Sequence, residues 1–240
     1  MKVAAVIAAA GRGTRLGISG SKALVELAGQ PMLIHSCRAM LDSGVVDSLV
    51  VTAPGDDIPV FEDVLSRAGI RAAVVCGGKT RQASVAAGLN AAEGADCVLI
   101  HDAARPLVPG QIVRRVVEAL RDGHPAVVPA LPVTDTIKEI YPGQASVAEG
   151  VERVARTIDR AALRGMQTPQ GFSYKTIRQV HALFVERADA EESAASDDAC
   201  LIEDAGIPVV LVQGSERAMK VTRPLDLRIA EMLAAEPGLG

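Results

Sequence analysis

The first half of the chain alternates short apolar runs with helical patterns, and this alternation narrows the possible folds more than any other feature. The segments "KVAAVIAA", "SLVVTA", "RAAVV", "DCVLIHD" and "PAVVPAL" read as strands. Between them, "PMLIHSCRAMLDSG", "DIPVFEDVLSRAG", "RQASVAAGLNAAEG" and "GQIVRRVVEALRDG" carry helical spacing and close at glycines, and Pro31 is placed to start the first. Strands that alternate with helices build parallel sheets covered on both faces, so the expected fold is α/β, a single doubly wound and mostly parallel sheet. The core must be aliphatic: 49% of the 240 residues are apolar, but the aromatics are only two Tyr and three Phe, with no Trp. One domain spanning residues 1–240 is the expectation at this length.

After Pro132 the alternation breaks. "VTDTIKEI", the turn "YPGQ" and "GVERVART" read as two extended arms and a turn, a hairpin projecting from the sheet at about 133–159. "SYKTIRQVHALFVERA" and "DDACLIEDAG" read as helices, "PVVLVQG" and "RAMKVT" as short strands, and "PLDLRIAEMLAAE" as a closing helix. "ADAEESAAS", residues 188–196, is small, acidic and poor in anchors, which predicts a mobile surface segment.

Bulk properties exclude some functions. A net charge of −4 without a run of Lys or Arg gives no general attraction to nucleic acid. The N-terminal "VAAVIAAA" is too short to span a membrane and ends in Gly-Arg-Gly instead of a small-residue cleavage site, so it reads as the first strand. Cys37, Cys76, Cys97 and Cys200 form no CxxC pair and have no His at metal spacing, and read as buried thiols of a reducing cytosol.

The stretch "AAAGRGTRL", residues 8–16, follows the first strand, where open α/β sheets bind phosphorylated ligands. It is not a dinucleotide fingerprint, because Gly17 follows Gly11 and Gly13 one residue too late, and it is not a Walker loop, because no GK[ST] follows at its spacing. It offers Arg12, Arg15 and Lys22 on a loop whose backbone NH groups can wrap a triphosphate, a combination suited to nucleotidyl transfer. "HDAARP", residues 101–106, puts Asp102 at the same sheet edge, where it can orient a magnesium ion, and leaves Arg105 for an anionic second substrate. His101 is given no catalytic role. In "GGKTRQASV", residues 77–85, Gly77 and Gly78 would admit a planar base, with Ser84 and Arg81 as polar contacts. "TPQGF" and "MKVTRPLDL" place polar groups before helices, where free NH groups favour an anion, and Lys220 is the sharper candidate of the two.

Taken in order, "AAAGRGTRLGISGSK", "GGKTRQASVAAGL", "HDAARP", "PVTDTIK", "RTIDRAALRGMQTPQGF", "SDDACLIEDAG" and "KVTRPLDL" resemble the 2-C-methyl-D-erythritol 4-phosphate cytidylyltransferase family of isoprenoid biosynthesis across nearly the whole chain. The resemblance implies a Rossmann-like nucleotidyltransferase domain. It implies transfer of CMP from CTP to 2-C-methyl-D-erythritol 4-phosphate, with Mg²⁺ or another divalent cation, in a cytoplasmic homodimer that binds neither nucleic acid nor membrane. It makes Arg15, Lys22 and Lys220 the catalytic cations, and Ala9, Ala10, Gly11, Arg12, Gly13, Gly78, Ser84 and Ala103 the nucleotide-binding positions. Asp102, Arg105, Thr136, Arg160, Thr168 and Ser196 become the substrate-binding residues and Asp102 the metal ligand, with Thr136 and Arg160 on an arm that reaches a neighbouring subunit. The chain departs from the family pattern in Ala8 and Ser21, where Pro is common, in Ser196, where Thr is usual, and in Ala218, where Asn is expected.

Three other readings stand beside this one. A cytidylyltransferase for another polyol phosphate, such as ribitol 5-phosphate, shares the loop motifs. An NAD-linked oxidoreductase is disfavoured by the glycine spacing. A non-catalytic nucleotide-binding regulator would lack the loop cations, and Arg15 and Lys22 are present.

Overall fold

The computed structural model describes residues 1–11, 20–141, 151–190 and 194–236. The chain opens with β1 (Val3–Ala8), and a small antiparallel pair, β2 (Glu26–Leu27) and β3 (Gln30–Pro31), leads into α1 (Met32–Leu41). Then come β4 (Ser48–Ala53), α2 (Ile58–Arg67), β5 (Ala73–Cys76), α3 (Arg81–Ala91), β6 (Cys97–Asp102), α4 (Gly110–Arg121) and β7 (Ala126–Pro132). The second half holds β8 (Lys138–Ile140), β9 (Val154–Thr157), β10 (Arg164–Met166), β11 (Gln170–Ser173), α5 (Tyr174–Leu183), α6 (Asp198–Asp204), β12 (Val210–Gln213) and α7 (Pro224–Ala235).

The expected strands and crossover helices of the first half are present. The chain reverses after α2 and α4 at Gly69 (φ 70°) and Gly123 (φ 97°), a backbone conformation that glycine adopts without steric cost. β1 pairs in parallel with β4 on one side and β6 on the other, and β5 lies outside β4. The chain thus leaves β1 in one direction and returns to its other side at β6, so the carboxyl ends of β1 and β6 flank a topological switch point. The sheet buries both faces. Val3, Ala5 and Ile7 pack with α1, α2 and α4 residues such as Leu33, Phe61 and Val113. Ala4 and Val6 pack on the other face with Val85 of α3, Ile177 of α5 and Leu201 of α6, as the two-residue period of a strand requires.

Several features differ from the sequence reading. β11, which the sequence did not announce, inserts antiparallel between β6 and β7, so the sheet is mixed, though mostly parallel. β10 continues the same antiparallel pairing along β7, whose other neighbour is the parallel β12. "RAMKVT" is not a strand: Glu216–Ala218 forms one 3-10 turn, and the segment to Arg223 is irregular because tertiary contacts hold it to the ends of β6 and β7. The projecting hairpin is present as the separate antiparallel pair β8–β9, with a register shift between Glu139 and Ile140, while residues 142–150, including most of the expected "YPGQ" turn, lie outside the described residues. Cys37 and Cys97 are buried as expected, but Cys76, at the end of β5, is exposed. Among the described residues no helix is long and apolar enough to cross a membrane.

Candidate active site

A cleft of about 780 Å³ opens at the carboxyl edge of the sheet, over the switch point. Ala8, Ala9, Ala10 and Gly11 line it from the end of β1, Gly77 to Arg81 and Ser84 from the turn into α3, Asp102 to Ala104 from the end of β6, and Lys22 and Lys220 from elsewhere in the chain. Gly11 and Lys22 both line the cleft, and the Lys22 backbone NH donates to the Gly11 carbonyl at 3.4 Å. Arg12, Gly13 and Arg15 fall in the intervening part and lie outside the described residues.

The wall at β5 is shaped by close packing. A Cβ at Gly77 would lie 2.5 Å from the Ala10 Cβ, and one at Gly78 would lie 2.4 Å from the Ala83 Cβ. Glycine therefore brings this turn flush against the first loop and bares its backbone. Ser84 is buried, and its hydroxyl accepts from Gly78 NH at 3.1 Å and lies 2.8 Å from the Thr80 carbonyl, so it shapes the turn from within. Thr80 caps α3 by accepting from Ala83 NH.

Asp102 holds the opposite wall. Its carboxylate meets Lys220 Nζ at 2.7 Å and Arg81 Nε at 3.4 Å, and its backbone NH donates to Thr168 Oγ1 at 3.1 Å. Burial would raise the pKa of Asp102, but Arg81 and Lys220 outweigh it and hold the carboxyl well below the usual range, so it is an anion at neutral pH. Beside it His101 is fully buried, with Nδ1 2.9 Å from Thr168 Oγ1 and Nε2 3.2 Å from the Arg105 carbonyl. Burial pushes the imidazole pKa down to about 4, so it is neutral at neutral pH.

Lys220 reaches the cleft on an irregular segment pinned at several points. Val221 NH donates to the Ala104 carbonyl at 2.8 Å, and Gln167 exchanges two hydrogen bonds with the backbone of Ser215, at 2.8 and 3.0 Å. Arg105 donates to the Ala218 carbonyl at 2.6 Å and to the Met166 carbonyl at 3.2 Å. In this state its guanidinium braces the Lys220 segment, while its Nε is buried and unpartnered among the described residues. Ala218, where the family pattern has Asn, is fully buried.

The remaining sequence candidates lie elsewhere. Thr136 and Arg160 are exposed on the hairpin and just beyond it, where Arg160 donates to the Thr134 carbonyl. Ser196 lies 3.4 Å from Cys200 Sγ at the approach to α6. Thr168 is buried beneath Asp102, and Thr136, Arg160, Thr168 and Ser196 are not among the cleft-lining residues. Of the segment predicted to be mobile, residues 191–193 lie outside the described residues, while Ala188 and Ala195 bond to Thr80 and Gln82 of the α3 start.

Arg81 was expected to touch a base. Instead its guanidinium bridges Asp102 and the buried Asp198, the latter at 2.7 Å. Gln167 and Gln170 carry comparable positioning work that the sequence did not reveal, Gln170 accepting from the NH groups of Asp198 and Ala199 at 3.2 Å each.

The donor set for a divalent cation is sparse, because among the described residues no group of three or more His, Cys, Asp or Glu comes together. A lone carboxylate beside Lys220 and Arg81 suits a hard ion that arrives on nucleotide phosphates and takes one protein oxygen, in contrast to an ion caged by protein alone.

Comparison with known proteins agrees with this geometry. The family model for 2-C-methyl-D-erythritol 4-phosphate cytidylyltransferase matches residues 3–236. The protein of that name from Streptomyces avermitilis is 48% identical over 239 residues, covering 98% of this chain and 92% of the relative, and the one from Streptomyces coelicolor is 46% identical, covering 98% and 85%. The crystal structure of the enzyme from Thermus thermophilus superposes with a TM-score of 0.74 at 34% identity, covering 98% of this chain and all of that one. The 4-diphosphocytidyl-2C-methyl-D-erythritol synthase of Anaerococcus prevotii gives a TM-score of 0.81 at 25% identity, covering 98% and 99%. With a doubly wound sheet, a cleft of nucleotide size at its switch point and an ordered set of matching motifs, the chain belongs to the 2-C-methyl-D-erythritol 4-phosphate cytidylyltransferase family of nucleotidyltransferases.

Proposed function

We propose that the protein transfers CMP from CTP to 2-C-methyl-D-erythritol 4-phosphate, giving 4-diphosphocytidyl-2-C-methyl-D-erythritol and pyrophosphate for isoprenoid synthesis. The observation that carries the reading is the cleft itself, which bare backbone at Gly11, Gly77 and Gly78 lines together with the cations Lys22 and Lys220, with Asp102 on the wall opposite the β5 turn. A phosphate monoester oxygen of the acceptor attacks the α-phosphorus, the new P–O bond forms, and the bond to the bridging oxygen breaks as pyrophosphate leaves with its electron pair. The nucleophile is already an anion at neutral pH, so no general base is needed, and the neutral, buried His101 is consistent with that. The task left to the protein is to assemble anions and neutralise charge that develops on the transferring phosphoryl and the leaving group.

Lys22, Lys220 and Arg15 are assigned that charge neutralisation. Ala9, Ala10, Gly11, Arg12, Gly13, Gly78, Ser84 and Ala103 are assigned the nucleotide. Asp102 would hold a magnesium ion, which when bound neutralises phosphate charge and polarises phosphoryl oxygens. Arg105, Thr136, Arg160, Thr168 and Ser196 are assigned to the acceptor, directly or by shaping its pocket. We place the reaction in a single domain of a cytoplasmic homodimer, with the arm of residues 133–159 crossing to the partner, and with neither nucleic acid nor membrane as partner. The net charge of −4 and the exposed apolar hairpin support this.

The test is incubation with 2-C-methyl-D-erythritol 4-phosphate, each of the four NTPs and Mg²⁺, following pyrophosphate. Release is expected with CTP and is expected to stop on chelation. If ribitol 5-phosphate is used and methylerythritol phosphate is not, the acceptor assignment is wrong.

A further inference from the structure

A chain of alternating charges runs from the cleft into the protein. Lys220 Nζ lies 2.7 Å from Asp102, Asp102 lies 3.4 Å from Arg81 Nε, Arg81 lies 2.7 Å from Asp198, and Asp198 accepts a 3.0 Å hydrogen bond from His181 Nε2. Its two ends differ in freedom. The Lys220 side chain is 43% exposed, whereas the side chain of Asp198 is 1% exposed at the start of α6, locked by His181 and by Gln170 on its backbone NH. Arg81 sits at the first position of α3, and the residues beside it are fixed as well: Thr80 donates to the Ala188 carbonyl at 2.8 Å and Gln82 to the Phe184 carbonyl at 2.9 Å. The cation on the Arg81 side is therefore anchored, and the one on the Lys220 side is able to leave.

This asymmetry matters because Lys220 rests on a carboxylate in the very cleft where it is assigned to meet phosphates. To reach a nucleotide it must leave Asp102, which would strand a nearly buried anion facing a polyanion unless another cation remained. We propose that Arg81 is a positioning residue that, held by Asp198, keeps Asp102 oriented and compensated so that Lys220 can transfer to the nucleotide phosphates. The proposal rests on the functional reading above and deepens it: Arg81 acts through Asp102 and does not touch the nucleotide. Among the described residues Lys22 and Lys79 also line the cleft, and Arg105 follows β6. The ion pairs of Asp102 among the described residues are those with Arg81 and Lys220, and Arg105 is engaged with carbonyls.

The decisive experiment is a double-mutant cycle on CTP affinity, measured by titration calorimetry in EDTA, so that neither metal nor turnover enters. Arg81→Met should weaken CTP binding by about tenfold, within the range for coupled neighbours. Asp102→Asn, which frees Lys220 and removes an anion, should tighten metal-free CTP binding. In the double variant the effect of Arg81→Met should largely vanish. Equal losses in both backgrounds would mean that Arg81 contacts the nucleotide directly, and no loss in either would mean that it has no such role; either result overturns the proposal. Thermal unfolding of each variant separates these effects from simple loss of fold. Should Arg81→Met not fold, Arg81→Gln, whose amide keeps a donor for Asp198, takes its place in the same cycle. Failure of the wild-type protein to bind CTP removes the functional reading and the proposal together, whereas CTP binding with additive losses removes the proposal alone.

Discussion

At the scale of single residues, the cleft is a set of placed charges, and each has a measurable consequence. Lys220 is half exposed at the tip of a pinned segment, so Lys220→Ala should fold normally. It should lose turnover by about 10²- to 10³-fold, as when one preorganised donor to a transition state is removed. Turnover near that of the wild type would take Lys220 out of the mechanism. His101 gives a prediction of a different kind. Its folded-state pKa is lowered from 6.5 to about 4 by burial, so the unfolded chain binds more protons between those values, and stability should fall as the pH drops from 6.5 toward 4. The full effect is about 3 kcal/mol, taken from the size of the shift. Asp102 and Asp198, whose pKa values are depressed, add their own loss only as the pH falls through the carboxylate range and below. Urea unfolding of wild type and His101→Gln at pH 7 and pH 4.5 isolates the histidine, and an equal loss in both proteins would refute it.

At the scale of elements, what could be read in the sequence was what local pattern determines. β1, β4, β6 and the four crossover helices each carry their own period, and the cleft-lining glycines follow strands in the sequence itself. β11 was missed because "QGFS" is four residues long with no alternation, and its place depends on the gap between β6 and β7. "RAMKVT" alternates like a strand, but Arg105 and Ala104 capture its backbone first. The Arg81 bridge was beyond local reading for a plainer reason: its carboxylates lie 21 and 117 residues away. The fit of α3 on the sheet supplies an element-scale prediction. A Cβ at Gly88 would lie 2.4 Å from Val6 Cγ1 and 3.1 Å from Thr52 Cγ2, both on buried strand residues that cannot swing aside. Gly88→Ala gains about 1 kcal/mol of helix propensity but overpacks the interface by about 1–3 kcal/mol, so a net loss is expected. Because α3 carries Thr80, Arg81 and Ser84 to the cleft, its displacement should also raise KM for CTP. Unfolding in urea with parallel kinetics checks both, and a variant as stable as wild type would show that α3 can shift without cost.

At the scale of the whole molecule, the cleft gathers Lys22, Asp102 and Lys220, but Thr136 stands apart on the β8–β9 arm and Arg160 just beyond it. That arm exposes Ile140, Tyr141, Val151 and Val154, each at least 41% accessible. A two-stranded ribbon is marginal alone and gains stability when its apolar surface packs on a partner, and in a twofold dimer each arm would serve the other subunit. If Arg160 completes the neighbour's site, Lys22→Ala and Arg160→Ala should each be inactive alone and complement when mixed. A mixed dimer holds one site with both residues intact and one with neither. With random exchange about half the dimers are mixed, so activity should return to roughly a quarter of wild type, treating the sites as independent. If both residues serve one subunit, no mixed dimer gains an intact site. Differently tagged chains report exchange, and exchange without recovery of turnover would rule out the shared site and return Arg160 to a role within its own subunit.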